Sequence, residues 1–193
     1  LMSYAIAEIF MRGFDTFAGT IINGEFDRIL LRPRSAIFLI ILSKMELTRL
    51  GKILQATVVL VYGVKNAGII WNTGKIITLV LMILSGSVIF GCLFLVYASI
   101  CFFTLEGLEF MNILTYGAME HGKYPLDIYG KKILKFCTFV IPYGLFQYYP
   151  FLYLTGRSDN HLYSILPPAA CLFVIPCYLL WRCGVRHYKS TGS

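Results

Sequence analysis

Glu25, Asp27, Arg28 and Arg32 fall within one short stretch, NGEFDRILLRPRS, running from Asn23 to Ser35. Two carboxylates followed by two guanidinium groups can grip a charged surface through ion-assisted hydrogen bonds. The acids open the stretch and the arginines close it, the order that suits a short helix dipole, and Pro33 stops that helix. Phe26, Ile29 and Leu30 sit at i, i+3 and i+4, so one face is apolar. Asn23 and Gly24 supply a flexible root. A second set, Glu106, Glu109, Glu120 and His121, would suit a lipid-modifying enzyme at a membrane interface, but no recognised spacing links its members. The histidines His121, His161 and His187 are far apart and lack a cluster of acids or cysteines at ligand spacing, so no metal site is expected. No arrangement of Ser, His and Asp points to catalysis, and no catalytic residue is assigned.

The elements that must position these residues are apolar. Hydrophobic residues make up 58% of the 193 positions and charged ones 14%, where a soluble domain carries roughly a quarter charged. Mean hydropathy is +0.71. This composition specifies an all-α integral membrane protein, a polytopic helical bundle forming a single transmembrane domain over residues 1–193, with interfacial amphipathic helices. The formal charge of +7 is not a nucleic-acid footprint, because the basic residues cluster at the ends of apolar segments. Six cysteines lie in or beside apolar runs without a CxxC pair, which reads as small buried hydrophobes rather than a disulfide scaffold. No signal peptide is visible at Leu1.

About 20 apolar residues carry a helix across the hydrocarbon core. Five spans are expected: residues 1–22, 50–71, 76–104, 136–156 and 162–181. Lys52 and Lys65 sit near the ends of the second, where their stems can snorkel. Glu8, Arg12 and Asp15 interrupt the first, and Glu8 with Arg12 at i, i+4 form a possible pair. Segments 23–49, 105–135 and 182–193 lie between or after spans. The intervals from Asn23 to Lys52, Glu106 to Lys135 and beyond Trp181 hold thirteen Lys and Arg residues, against three in the alternate loops. The positive-inside rule puts the richer side, and the C-terminus, in the cytoplasm.

GEFDRILLRP, followed about a hundred residues later by KYPLDIYGKKILKFCTFVIPYGLFQYYP, resembles the permease subunits of bacterial ABC-2 type exporters, in the subfamily with a G-E-[FL]-D-x-x-L-L-R-P signature. The resemblance runs from about Tyr4 to Tyr188. It implies a six-span permease in the bacterial cytoplasmic membrane, with its first span absent before Leu1. It further implies a dimer, with itself or a similar subunit, and a separately encoded ATPase docked on the cytoplasmic face. Gly24, Glu25, Phe26, Asp27, Arg28, Arg32 and Pro33 would then be a coupling helix held by that ATPase. An ordinary interfacial loop is the alternative. GxxxxGK[ST] occurs nowhere, so this chain holds no phosphate cradle of that kind; ATP and magnesium would belong to the partner.

Three further motifs stand out, the first two with two readings each. Residues 106–130 contain an amphipathic pattern ended by Tyr124 and Pro125, either a second ATPase contact or hinge, or a lipid anchor using Lys131 and Lys132. Pro142 and Pro150 interrupt span 136–156, and with Gln147 the kink at Pro142 can line a substrate path, while Tyr148 to Tyr153 suit an aromatic belt. Ser85, Ser87 and Gly91 offer close helix packing. The rival functions are a membrane-embedded lipid-modifying enzyme and a non-catalytic scaffold.

Overall fold

The computed structural model describes residues 1–104, 115, 117, 124, 126–158 and 160–189. Every regular element among them is helical. Glu106, Glu109, Glu120, His121 and Pro125 lie outside the described residues.

The bundle is organised around one long helix. Its sequence, free of charged residues after Lys75, forms Thr73–Cys101, here α6, of 29 residues and therefore about 43 Å long. Half of its apolar window is buried, against 6% for the preceding helix, so α6 is the central element. The first helix, α1 (Met2–Asp15), packs along its second half. Contact is made where side chains are small: a Cβ on Gly86 would stand 2.7 Å from Ser3 Oγ, and one on Gly91 3.2 Å from Met11 Cε. Tyr4 meets Phe90 edge-on at 5.3 Å. Ser85 and Gly91 thus belong to the packed face, whereas the Ser87 hydroxyl donates to the Ile83 carbonyl of its own helix at 2.8 Å. Gly86, which the spacing argument passed over, is the tightest point.

Residues 1–22 divide at Thr16 into α1 and α2 (Phe17–Ile22). The chain then forms α3 (Glu25–Leu30) and α4 (Ala36–Ser43), and α4 crosses α1 at Gly13. A Cβ added to Gly13 would lie 2.5 Å from the Ile40 carbonyl oxygen and 2.9 Å from its Cγ2. Backbone cannot yield there as a flexible side chain would. Gly13→Ala is expected to cost about 1–3 kcal/mol through overpacking, read as a lowered thermal unfolding midpoint of the purified protein; an unchanged midpoint would refute the close approach.

A 3-10 turn at Leu47–Arg49 leads into α5 (Leu50–Asn66). This helix ends five residues short of the expected boundary at 71, and the linker turns at Gly68 with φ +60. Three helical stretches among the described residues are long and apolar enough to cross a membrane: Leu47–Asn66, Thr73–Cys101 and Leu166–His187.

The run 136–156, expected as one kinked span, is broken. Helix α7 (Lys131–Phe139) stops, and the Tyr143 N–H donates to the Ile141 carbonyl at 2.6 Å across Pro142, a γ-turn. Pro142 has no amide hydrogen with which to continue a helix. Just beyond it, a Cβ on Gly144 would come within 2.7 Å of Thr138 Oγ1, so the chain can pack back on the end of α7 there because that residue is glycine. A π-helical turn, Gly144–Tyr148, feeds α8 (Tyr149–Leu154), whose Pro150 sits in the first turn, where a missing donor is tolerated. Residues 144–154 reach about 16 Å, short of the ~30 Å hydrocarbon core.

The last stretch runs through α9 (Leu166–Ala170) and a short 3-10 turn into α10 (Val174–His187). It continues past the expected end at 181, so residues 182–187 are helical rather than tail. Gly184 brings α10 against the end of α6: a Cβ there would be 2.5 Å from Phe102 Cδ2 and 3.0 Å from the Ser99 carbonyl oxygen.

Candidate functional site

The charged stretch is pinned to the bundle by a single ring. Gly24, at the N-cap of α3, has φ +66, a left-handed conformation that strains an L side chain even in open space. This turn aims Phe26 inward, where it is 0% exposed. Its ring centroid lies 5.2 Å from Phe17 of α2 and 5.2 Å from Phe102 at the end of α6. Tyr188, just past α10, stands at 5.0 Å and Trp181 within α10 at 6.3 Å. Edge-on and tilted rings at these separations attract beyond their buried area. Phe26 therefore plugs a socket built from the ends of α2, α6 and α10.

The apolar face differs from the i, i+3, i+4 expectation in one member: Ile29 is half-buried beside Phe26, but Leu30 is 44% exposed. Helix α3 ends at Leu30 before the proline, whose ring disfavours helical backbone at Arg32. Glu25, Arg28 and Arg32 are exposed, and none of the three forms an ion pair among the described residues. Asp27 is half-buried. The same bundle end receives the C-terminal turns of α6 and α10, the latter carrying Arg182 and Arg186.

Other predicted residues are dispersed. Tyr124 is 61% exposed. Pro142 is buried at the break and shapes the backbone. Gln147 instead lines an apolar cavity of about 680 Å³ between α1, α5, α6 and residues 146–154. The structure thus separates the two residues assigned to a substrate path. Tyr149 packs on Tyr163 at 5.4 Å and Tyr153 on His161 at 5.7 Å. Gly74 opens α6 beside the Tyr153 hydroxyl, so this aromatic group sits at the end of the bundle away from α3.

A family model described as ABC-2 family transporter protein matches residues 1–192. The chain belongs to the ABC-2 transporter family. No curated protein matches it, and neither does any solved structure. An ABC-2 chain is a multi-pass membrane permease, a transport subunit rather than a catalyst, from a family that generally works with an ATPase subunit and dimerises.

In this ABC-2 permease, sequence reasoning missed a network of charges beside α1. Glu8, only 1% exposed, accepts a hydrogen bond from Lys52 Nζ at 2.7 Å, and Arg49 approaches its other oxygen at 3.5 Å. Arg12 pairs with Asp15 and with Glu46, which accepts from Arg49 Nε at 2.7 Å. That hydrogen bond from Arg49 holds the Glu46 carboxyl below its ordinary range. The expected Glu8–Arg12 pair is not among the ion pairs of the described residues; Lys52, 44 positions away, and Arg49 take its place. Its sequence signal was Glu46, Arg49 and Lys52 at successive i, i+3 steps, one charged edge at the root of α5.

Proposed function

We propose that α3 is the contact through which a separate ATP-binding-cassette ATPase drives this permease. The observation that carries the reading is the Phe26 socket. A load applied to the exposed face of α3 reaches the ends of α2, α6 and α10 through one buried ring. Pro33 fixes the backbone at the far end of the short helix and limits how much of that load the following loop absorbs. ATP and magnesium act on the partner, a second permease subunit completes the transporter, and the substrate leaves by rearrangement of the spans. The lysine and arginine count supports a cytoplasmic position for α3 and for the C-terminus in a bacterial cytoplasmic membrane. Tyr124 with Pro125 forms a second contact, and Gln147 faces the path.

Charge reversal tests this reading. The double variant Glu25→Lys, Arg28→Glu alters two exposed side chains without ion pairs among the described residues, so its unfolding midpoint should stay near wild type. Co-purification of the ATPase is expected to fall by about tenfold or more, the consequence of ~1.4 kcal/mol lost at the interface. Full ATPase binding with unchanged transport in this variant would reject the coupling role.

A further inference from the structure

We infer that the crevice between α2, α3 and α4 holds the phosphodiester headgroup of an anionic glycerophospholipid. The crevice measures about 260 Å³ and is lined by Arg28, Arg32, Lys44 and Glu25, with Leu39 and Ile40 as apolar wall. Three cations against one carboxylate leave a formal charge of +2 around one small volume. Arg28 and Arg32 have no ion-pair partner among the described residues, and Lys44 spends one of its three protons on Thr16 Oγ1 at 3.2 Å. The Ser43 hydroxyl, also in the lining, already donates to the Ile40 carbonyl at 2.8 Å, so apart from the Thr20 hydroxyl the donors of the lining are the cations. Like charges gathered without an anion repel one another; a phosphate monoanion relieves them and takes the forked geometry of two guanidinium groups.

The surroundings select a lipid over a soluble phosphate. Leu31, Phe38 and Leu42, each next in sequence to a lining residue, expose 85%, 49% and 53% of their surfaces, apolar area that suits acyl chains and not a small solute. Basic crevices between helices at the cytoplasmic side are where anionic headgroups are recognised. Glu25 adds discrimination. It offers an acceptor to a headgroup hydroxyl, as in phosphatidylglycerol, and no hydrogen bond to a trimethylammonium group, which carries no N–H donor. This site goes beyond the coupling reading yet shares Arg28 and Arg32 with it, so Lys44, outside residues 24–33, separates the two.

The test is native mass spectrometry of the full-length protein released from nanodiscs containing equal phosphatidylglycerol and phosphatidylcholine. Wild type should retain phosphatidylglycerol about fivefold or more over phosphatidylcholine, the yield of roughly one effective cation contact. Lys44→Ala should lose most of that preference and Lys44→Arg keep it, while ATPase co-purification stays at the wild-type level in both. No preference in wild type, or an undiminished preference in an Arg28→Ala, Arg32→Ala, Lys44→Ala triple variant that still binds lipid, would overturn the inference. Displacement of the lipid by millimolar glycerol phosphate or inorganic phosphate would overturn the lipid assignment in favour of a soluble anion. The charge-reversed double variant alters Glu25 and Arg28, which belong to both sites, so the Lys44 variants, which leave residues 24–33 intact, are the ones that separate the two readings.

Discussion

Phe26→Ala is expected to uncouple the permease. The ring is 0% exposed and touches four other aromatic rings, so truncation removes its transfer free energy and leaves a cavity. Phe→Ala changes in packed cores cost about 3–5 kcal/mol. Part of that loss falls on α3 itself, because few other side chains bind this six-residue helix to the bundle. Two measurements separate the consequences. The thermal midpoint should drop, and in reconstituted complexes the ATPase rate should lose its response to transported substrate even at temperatures where the variant remains folded. Phe26→Leu, which refills much of the volume without the ring edges, should recover most of the stability and part of the coupling. A variant with lowered stability but intact substrate response would mean that Phe26 anchors without transmitting.

The second large effect concerns the charges at the root of α5, and it is asymmetric. Glu8 is 1% exposed, whereas Lys52 and Arg49 are 42% and 28% exposed. Removing a cation leaves a buried carboxylate short of a partner; removing the carboxylate leaves cations that reach water. Breaking a buried pair by deleting one partner costs about 3–5 kcal/mol. Lys52 is also the hydrogen-bond donor to Glu8 among the described residues, since the Oε1 that faces Arg49 has no hydrogen bond. Lys52→Met should therefore destabilise strongly and Glu8→Gln by clearly less, with the double variant returning toward wild type. Unfolding midpoints of the three proteins decide it. Equal losses from both single variants would show that the pair is solvated rather than buried.

Local pattern carried the sequence reading a long way and then failed for a physical reason. The helix at 25–30, its stop before Pro33 and the need for an unusual residue at 24 were all legible, since each depends on neighbours within one turn. Phe26 was legible as apolar, but its socket was not. Phe17, Phe102, Trp181 and Tyr188 come together through the crossing of α6 and α10, which no periodicity encodes. The same limit explains Glu8, where the i, i+4 rule offered Arg12 while tertiary packing supplied Lys52. Charge-free length misled at 136–156: a run of 21 residues satisfies a hydropathy window, yet Pro142 and Gly144 together permit a break in the helix that neither forces alone. Helix α4 was passed over for the opposite reason. Its eight residues, apolar up to Ser43, are too few for a span, though enough to pack against Gly13.

The Glu8–Lys52 pair also sets a timetable for biogenesis. Its two members are 44 residues apart, so at roughly 5–20 residues per second the acid emerges from the ribosome several seconds before its partner. Until then α1 presents an unpaired carboxylate, and a central acidic residue costs about 2.5–3.5 kcal/mol on insertion. The carboxylate that α1 buries in the folded bundle is thus compensated by Lys52 only once the root of α5 has been made.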